Sequence, residues 1–264
     1  MLEYKEIQNH FTLVFGPNEE DNTYYIGQTF QKCSNELPGQ VRYVPNGAIL
    51  MDYLTGREYL EEVIRQYKIE DKESMEELAE YFDVPLDTQL LDMSYEQNKF
   101  VAIIGGIISE PKALILDRPF EYFSKEESLK LLEILKWIHS KGVAVVIATK
   151  HYEDVCDYGD AYVYIRDEEL IEHAVEKKDE NFVKKIVVKQ GDVSVLSRYL
   201  GKPAAKGLEG VTYFSSLDWV KIALILREGK VADRDVVISM ATKEEILDMK
   251  YPAEKKEEEM NVSE

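Results

Sequence analysis

The stretch LLDMSYEQNKFVAIIGGIISEPKALILDRPFEYFS, at residues 90–124, decides the fold of this chain. Ser94 is followed three residues later by Gln97, which is the spacing of a capping box, where each side chain bonds the other residue's backbone N–H at a helix start. The apolar run VAIIGGII continues this predicted helix, and the run ALILD at 113–117 is typical of a buried strand. A helix that leads into a wholly apolar strand indicates an α/β fold.

Apolar runs of the same kind recur along the chain, and helical patterns separate them. The runs are FTLVF at 11–15, VRYVP at 41–45, VAVVIAT at 143–149 and AYVYI at 161–165. Further capping-box pairs, which predict helix starts, are Thr55 with Glu58, Ser74 with Glu77 and Ser124 with Glu127. Continuous apolar strands between helices predict a parallel sheet that is covered by helices on both faces. The predicted fold class is therefore α/β.

The composition argues against several classes of partner. The formal charge of -19 at pH 7 repels phosphate backbones, so we expect neither nucleic acid nor anionic lipid as a direct partner. Cys33 and Cys156 have no CxxC spacing, so we expect two reduced thiols rather than a disulfide framework or a zinc site. No apolar run approaches the roughly 18 residues of a membrane span, and the amino terminus has no signal-peptide profile. We therefore expect a cytoplasmic protein.

The character of the sequence changes after Glu172, which predicts a boundary between two folded parts. A charged stretch leads into a strand-like KKIVVK, a helix-like VSVLSRYL, VTYFSSL and the apolar-faced DWVKIALIL. We predict a first domain at 1–172, a small α+β accessory unit at 173–252 and an acidic tail at 253–264. The tail has almost no apolar residues, so we expect it to be disordered.

The segment GPNEEDNT at 16–23 overlays part of a phosphate-binding loop, G-x-x-x-x-G-K-[ST]. Gly16 and Thr23 match the first and last positions of this pattern. The inner glycine is replaced by Asp21, which hinders the approach of backbone N–H groups to phosphate, and the lysine that neutralises phosphate charge is replaced by Asn22. The two chemically decisive positions are therefore changed.

Acidic residues make this loop still less suited to phosphate. Glu19 and Glu20 follow Asn18, and each carboxylate near a polyphosphate costs on the order of 1 to 4 kcal/mol at intermediate dielectric. We therefore predict that the loop repels ATP. By itself, the segment is better explained as an ordinary strand-to-helix turn, and its assignment depends on the motifs that follow it.

In their order and spacing, the later segments resemble ABC transporter ATP-binding subunits of the drug and peptide exporter type. LTGREYLE at 54–61 is the closest local match, residues 90–124 resemble the segment from the signature helix to the second acidic motif, and residues 141–172 resemble the switch region and final strand. The resemblance covers about residues 11–172. It implies a truncated P-loop NTPase fold, with a parallel sheet flanked by helices and a small C-terminal α+β accessory unit.

Carried over residue by residue, this resemblance implies that most catalytic positions are changed. In the family, a glutamine contacts the metal and the attacking water, and this chain has the shorter Asn46 at that position. The family's signature L-S-G-G-Q is replaced by M-S-Y-E-Q, in which Ser94 is retained. Asp117 stands where a carboxylate would hold Mg²⁺. In active members a catalytic glutamate follows this aspartate, and here it is replaced by Arg118. An arginine stays protonated near neutral pH and cannot act as a base.

The switch histidine aligns with Lys150, while His151 lies one position further along. Four of these positions also have a structural interpretation. Asn46 suits a turn in P-N-G, Ser94 caps its helix, and His151 is more typical of a surface or core residue. For Arg118, an ion pair with Asp117 or with the acidic residues of the loop explains the residue as well as a contact with ligand does.

Three hypotheses follow. In the leading one, the chain is a catalytically inactive subunit that acts as scaffold or regulator of an export complex, with a peptide or antimicrobial compound as a candidate cargo. Its partners would be an ABC permease, which brings it to the inner face of the membrane, and an active ATPase subunit in a heterodimer, or a second copy. No catalytic residue and no cofactor are expected, and Asp117 would hold Mg²⁺ only if MgATP binds.

The second hypothesis is an unconventional ATPase, with Asp117 on the metal and His151 sensing the γ-phosphate. The third is a free-standing interaction protein without a permease.

Overall fold

The computed structural model describes residues 1–47, 51–150, 152–175 and 183–251. The chain divides into two compact units, Met1–Glu176 and Lys177–Glu264, and each has its own hydrophobic core. No helix in the described residues is both long enough and apolar enough to cross a membrane.

The first unit is built on a six-stranded sheet in the order β2-β3-β4-β1-β5-β6. Its strands are β1 (Phe11–Phe15), β2 (Val41–Val44), β3 (Ala113–Asp117), β4 (Ala144–Ala148), β5 (Ala161–Arg166) and β6 (Glu169–Val175). The first five are parallel, and β6 runs antiparallel to β5. The parallel sheet that the apolar runs predict is therefore confirmed.

Helices cover both faces of this sheet. They are α1 (Tyr4–Ile7), α2 (Glu19–Glu36), α3 (Gly56–Tyr67), α4 (Glu73–Tyr81), α5 (Tyr95–Ile108), α6 (Lys125–Ser140) and α7 (Tyr152–Val155). Helix α2 packs its Ile26 in one cluster with Ile115 of β3. The preceding residue, Leu114, points to the opposite face and lies beside Gly106 of α5. Side chains on both faces of β3 are buried, and the residues at 113–116 are accordingly all apolar.

Three of the four predicted capping boxes are confirmed, and one is wrong. Thr55, Ser94 and Ser124 cap α3, α5 and α6 in the predicted reciprocal pairs. Ser74 instead lies inside α4. Asp71 takes the capping role, because its carboxylate accepts hydrogen bonds from the backbone of Glu73 at 2.9 Å and from the hydroxyl of Ser74 at 2.5 Å. A carboxylate just before the helix satisfies the free N–H groups and suits the helix dipole.

The predicted boundary after residue 172 falls too early. Strand β6 continues to Val175, and its last residues pair with Ala161–Val163 of β5, which ties them to the first sheet. The predicted tail at 253–264 lies outside the described residues and stays a prediction.

The second unit combines a four-stranded antiparallel sheet with helices. Its elements are β7 (Lys184–Val188), α8 (Val193–Leu200), β8 (Ala205–Gly207), β9 (Gly210–Ser215), α9 (Trp219–Glu228), β10 (Val236–Met240) and α10 (Lys243–Lys250). The strand order β10-β7-β9-β8 and the sequence βαββαβ form a ferredoxin-like arrangement. Ile186, Leu196, Tyr213 and Ile222 are fully buried in its core.

Candidate functional site

The predicted site residues meet where the parallel strands of the first unit end. Gly16 follows β1, Asn46 lies two residues after β2, Asp117 ends β3 and Lys150 lies two residues after β4. Ligands of open α/β sheets bind outside the carboxyl ends of the strands. We call this group, together with Glu19, Asn22, Thr23, Lys99, Arg118 and Glu121, the strand-end site.

The segment that overlays a phosphate loop is a short turn in the structure. Only Gly16, Pro17 and Asn18 separate β1 from α2, which begins at Glu19. Asn18 caps the helix, because its side chain accepts a hydrogen bond from the backbone of Glu20 at 2.9 Å. The three acidic residues of the first helical turn suit the positive end of the helix dipole. The segment is therefore the short strand-to-helix turn that the sequence offered as the alternative to a degenerate phosphate loop.

Gly16 is required by the close approach of two strands. A Cβ atom at this position would lie 2.1 Å from the carbonyl oxygen of Ile165 on β5, far inside contact distance. The glycine that matches the first position of the phosphate-loop pattern therefore has a packing role.

The two altered loop positions belong to the beginning of α2 rather than to the turn before it. Asp21 accepts a hydrogen bond from the side chain of Asn18 at 3.1 Å. Asn22 is 1% exposed and lies 3.4 Å from the carbonyl oxygen of Gly16. Its backbone N–H bonds to Asn18 within the helix, so this group is not free to meet a phosphate.

Thr23 and Asp117 are in direct contact at the strand-end site. The hydroxyl of Thr23 donates to a carboxylate oxygen of Asp117 at 3.0 Å, and Asp117 is 2% exposed. Burial raises the pKa of Asp117, against the opposing effects of the Thr23 hydrogen bond and the Arg118 charge. The pair preserves two of the groups that hold Mg²⁺ in P-loop proteins.

Arg118 lies in the middle of the strand-end site and pairs with acidic groups around it. Its guanidinium is 2.9 Å from the carboxylate of Glu19, 3.6 Å from that of Asp117 and 3.8 Å from that of Glu121. Lys150 contacts the other oxygen of Glu19 at 2.5 Å. The Lys150 hydrogen bond is the main cause that lowers the pKa of Glu19, against burial, with a further contribution from Arg118.

A buried lysine that we did not single out from the sequence completes the site. Lys99 on α5 is 3% exposed, and its ammonium donates to Asn46 at 2.9 Å and to the carbonyl oxygen of Arg118 at 2.6 Å. Burial lowers its pKa to about 8. The side-chain amide of Asn46 donates to the carboxylate of Glu121. The hydroxyl of Tyr95 donates to the backbone carbonyl oxygen of Asn46 at 2.8 Å. A lysine within an apolar helix is the sequence signal for such a group.

Two further predicted residues have different outcomes. Ser94 forms the cap of α5 with Gln97 and thus has a structural role in this chain. His151 lies outside the described residues, so its predicted role stays untested.

The three carboxylates and three cations of the strand-end site balance, and Glu20 and Asp21 at the start of α2 give the region around it an excess of negative charge. The carboxylates of the site are Glu19, Asp117 and Glu121, and its cations are Lys99, Arg118 and Lys150. The guanidinium of Arg118 also lies where it competes with a metal ion for Asp117. In the described ranges, no cluster of three or more His, Cys, Asp and Glu residues has a metal-binding arrangement. This donor set does not suit MgATP.

Replacing Arg118 by alanine should lower the free energy of unfolding by roughly 1–2 kcal/mol, because the half-buried Glu19 and the buried Asp117 lose a cation. The matched control is Arg65→Ala. Arg65 forms an exposed pair with Glu62 on α3, so its removal should change stability by less than about 0.5 kcal/mol. Urea unfolding of the two variants provides the measurement, and equal effects would contradict the structural role of Arg118.

Part of the sequence is similar to ATP-binding proteins of transporters. A stretch of 79 residues, 30% of this chain, is 37% identical to the energy-coupling factor transporter ATP-binding protein EcfA2 of Streptococcus agalactiae and matches 28% of its length. Over 120 residues, the chain is 29% identical to EcfA2 of Lactobacillus johnsonii, and this match covers 44% of the chain and 42% of the relative. The chain therefore spans less than half the length of these relatives. No protein-family model matches it.

Solved structures show the same fold. The ATP-binding cassette MJ0796, in a dimeric post-hydrolysis state bound to ADP and Pi, has a TM-score of 0.56 at 16% identity, which covers 65% of this chain and 88% of that one. CbiO1 from Clostridium perfringens, described as part of the ABC transporter complex cbiONQ, has a TM-score of 0.50 at 17% identity, with 64% and 78% covered. The chain thus contains the fold of an ABC ATP-binding cassette, and part of its sequence is similar to ATP-binding subunits of ABC-type transporters.

Proposed function

We propose that this chain is a subunit of a transporter that has kept the fold of an ATP-binding cassette and does not hydrolyse ATP. The observation that carries this proposal is the position of Arg118. A guanidinium stands in the place of the catalytic base and bonds to Glu19, at the start of the helix that would otherwise receive phosphate. An arginine stays protonated near neutral pH, so it cannot activate a water molecule.

The three-residue turn before α2 supports the same proposal. In a P-loop protein, glycine-rich backbone and a lysine cradle the phosphates. Here Asn22 is buried in the helix, and Glu19 is already bonded to two cations. ATP would have to displace these ion pairs and also meet an excess of negative charge.

We further propose that the chain works as a scaffold or regulator beside a second cassette with an intact nucleotide site, and that both join a permease. The solved structure of MJ0796 is dimeric, and cbiO1 is part of a transporter complex. Two copies would bring together two helix starts that each carry Glu19, Glu20 and Asp21 and have Asn22 in place of the phosphate-loop lysine, which favours a heterodimer. Export, which the sequence resemblance implies, stays a prediction.

A second function is favoured by the Thr23–Asp117 pair. These residues retain the hydroxyl and the carboxylate that hold Mg²⁺ in P-loop enzymes, and they lie 3.0 Å apart. An unconventional ATPase would use Asp117 to hold the metal.

ATP turnover by the purified chain separates these two functions. We expect no Mg²⁺-dependent phosphate release above that of the Asp117→Asn variant, which keeps the shape of the side chain and removes its charge. Turnover by the native chain that is lost in Asp117→Asn would overturn the proposal and establish the enzyme. Co-purification with a permease and a second cassette would separate the scaffold from a free-standing interaction protein.

A further inference from the structure

A groove lies where the parallel strands of the first sheet begin, at the end opposite the strand-end site. It borders Pro111 and Val143, which precede β3 and β4, and it is enclosed by α4, the end of α5 and the last turns of α6. Its volume is about 660 Å³. We call it the amino-edge groove. None of its residues belongs to the strand-end site.

The walls of the amino-edge groove are largely apolar. They are formed by Ile69, Leu78, Tyr81, Ile107, Ile134 and Trp137. Trp137 on α6 is 55% exposed, which is a large fraction for a tryptophan at the wall of a groove. A concave apolar surface with an exposed aromatic residue marks an interaction site more often than a plain surface does.

The rim of the amino-edge groove is acidic. Asp71 and Glu77 border it at α4, and Glu110 borders it at the turn before β3. Lys141 also borders the groove, and its ammonium lies 5.7 Å from the ring centre of Trp137. A partner that fills this groove would therefore meet apolar walls between carboxylates.

We propose that the amino-edge groove binds an amphipathic helix of a partner protein, with large aliphatic side chains on one face and lysine or arginine on its flanks. Helices bind apolar grooves through side chains spaced by three and four residues. Charge complementarity selects the partner, because the rim carboxylates attract basic flanks. The acidic tail of this chain, AEKKEEEMNVSE, has the wrong charge, and a second copy also carries a net charge of -19. The proposal does not depend on the loss of ATP hydrolysis.

The probe is a fluorescein-labelled helical peptide of leucine and lysine in amphipathic order, and its binding to the full chain is followed by fluorescence anisotropy. A peptide with glutamate in place of lysine has the same apolar face and the opposite charge. We expect the basic peptide to bind saturably and the acidic peptide to bind at least about tenfold more weakly.

Paired variants locate the binding surface. Trp137→Ala removes a wall of the groove and should weaken binding at least about tenfold, whereas Leu129→Ala, on the same helix and 41% exposed, should change it less than about twofold. Glu77→Gln with Glu110→Gln should weaken binding of the basic peptide. The control pair is Glu61→Gln with Glu209→Gln, which removes the same charge from exposed positions elsewhere. Because the exchanged side chains are exposed, all variants should keep the native unfolding midpoint.

Three results would overturn the proposal. Equal weakening by the groove and control variants would show attraction to the overall negative charge alone. Equal binding of the basic and acidic peptides would remove the role of the rim. A dimer that Trp137→Ala converts to a monomer would make a second copy the occupant.

Discussion

The Gly16→Ala variant should lose on the order of 3 kcal/mol of the free energy of unfolding of the first unit. The added Cβ would lie 2.1 Å from the carbonyl oxygen and 3.0 Å from the carbonyl carbon of Ile165. These are backbone atoms of a central strand, and β5 is held on both sides by β1 and β6. No side-chain rotation relieves the overlap, so the strands themselves must move apart.

Gly27→Ala is the matched control within the same region. Gly27 lies in the middle of α2, and a Cβ built there has no contact within 4 Å from other parts of the described chain. Alanine should stabilise the helix by roughly 0.5–1 kcal/mol, because glycine loses more conformational freedom in a helix interior.

The two glycine variants should thus have effects of opposite sign. Urea unfolding followed by the fluorescence of Trp137, in a Trp219→Phe background, reports on the first unit. A Gly16→Ala protein as stable as the parent would show that β1 and β5 do not approach as closely as described.

The second large effect is a rise in the free energy of unfolding at alkaline pH, which is caused by Lys99. Burial lowers the pKa of Lys99 from 10.5 to about 8. Between these values, the unfolded chain keeps this proton while the folded chain releases it, so the free energy of unfolding rises with pH. Lys99 should therefore contribute a rise of about 3 kcal/mol from pH 8 to pH 10.5, and its burial costs this amount at lower pH.

The Lys99→Met variant removes the titrating group and keeps a long side chain. The difference in unfolding free energy between the native chain and this variant should change by about 3 kcal/mol from pH 8 to pH 10.5, in favour of the native chain at high pH. The control variant is Lys125→Met, at an exposed lysine on α6. A constant difference for Lys99→Met would mean that Lys99 is not buried with a lowered pKa.

The strands and most helix starts could be predicted because they depend on local sequence. An apolar run such as Ala113–Asp117 between helices forms a buried strand of a parallel sheet. A capping box such as Ser124 with Glu127 joins residues that are close in sequence. Ser74 was assigned wrongly because Asp71, three residues earlier, competes for the same backbone N–H groups.

The start of α2 shows how a motif pattern conceals a local signal. Asn18 followed by three acidic residues is a good helix start. The overlay with a phosphate loop drew attention to Gly16 and Thr23 instead, and it left the loop length open. The turn has three residues because the cap at Asn18 places the helix start at Glu19.

The ion pairs of the strand-end site depend on contacts that sequence spacing does not reveal. Arg118 and Glu19 are far apart in the chain, and the order of the strands brings them within 2.9 Å. From the sequence, pairing of Arg118 with acidic residues was one alternative, and a contact with ligand was the other. The role of Lys99 depends on Asn46 and Arg118 from two other segments, so its position in α5 alone does not define it.

A calorimetric titration of the purified chain with MgATP tests the central claim most directly, since the claim is that Arg118, Lys150 and Glu19 satisfy one another where phosphate would bind. The account predicts no saturable heat for the native chain. Saturable MgATP binding that is lost in Asp117→Asn would contradict it, because this result would show a nucleotide site in which Asp117 holds the metal.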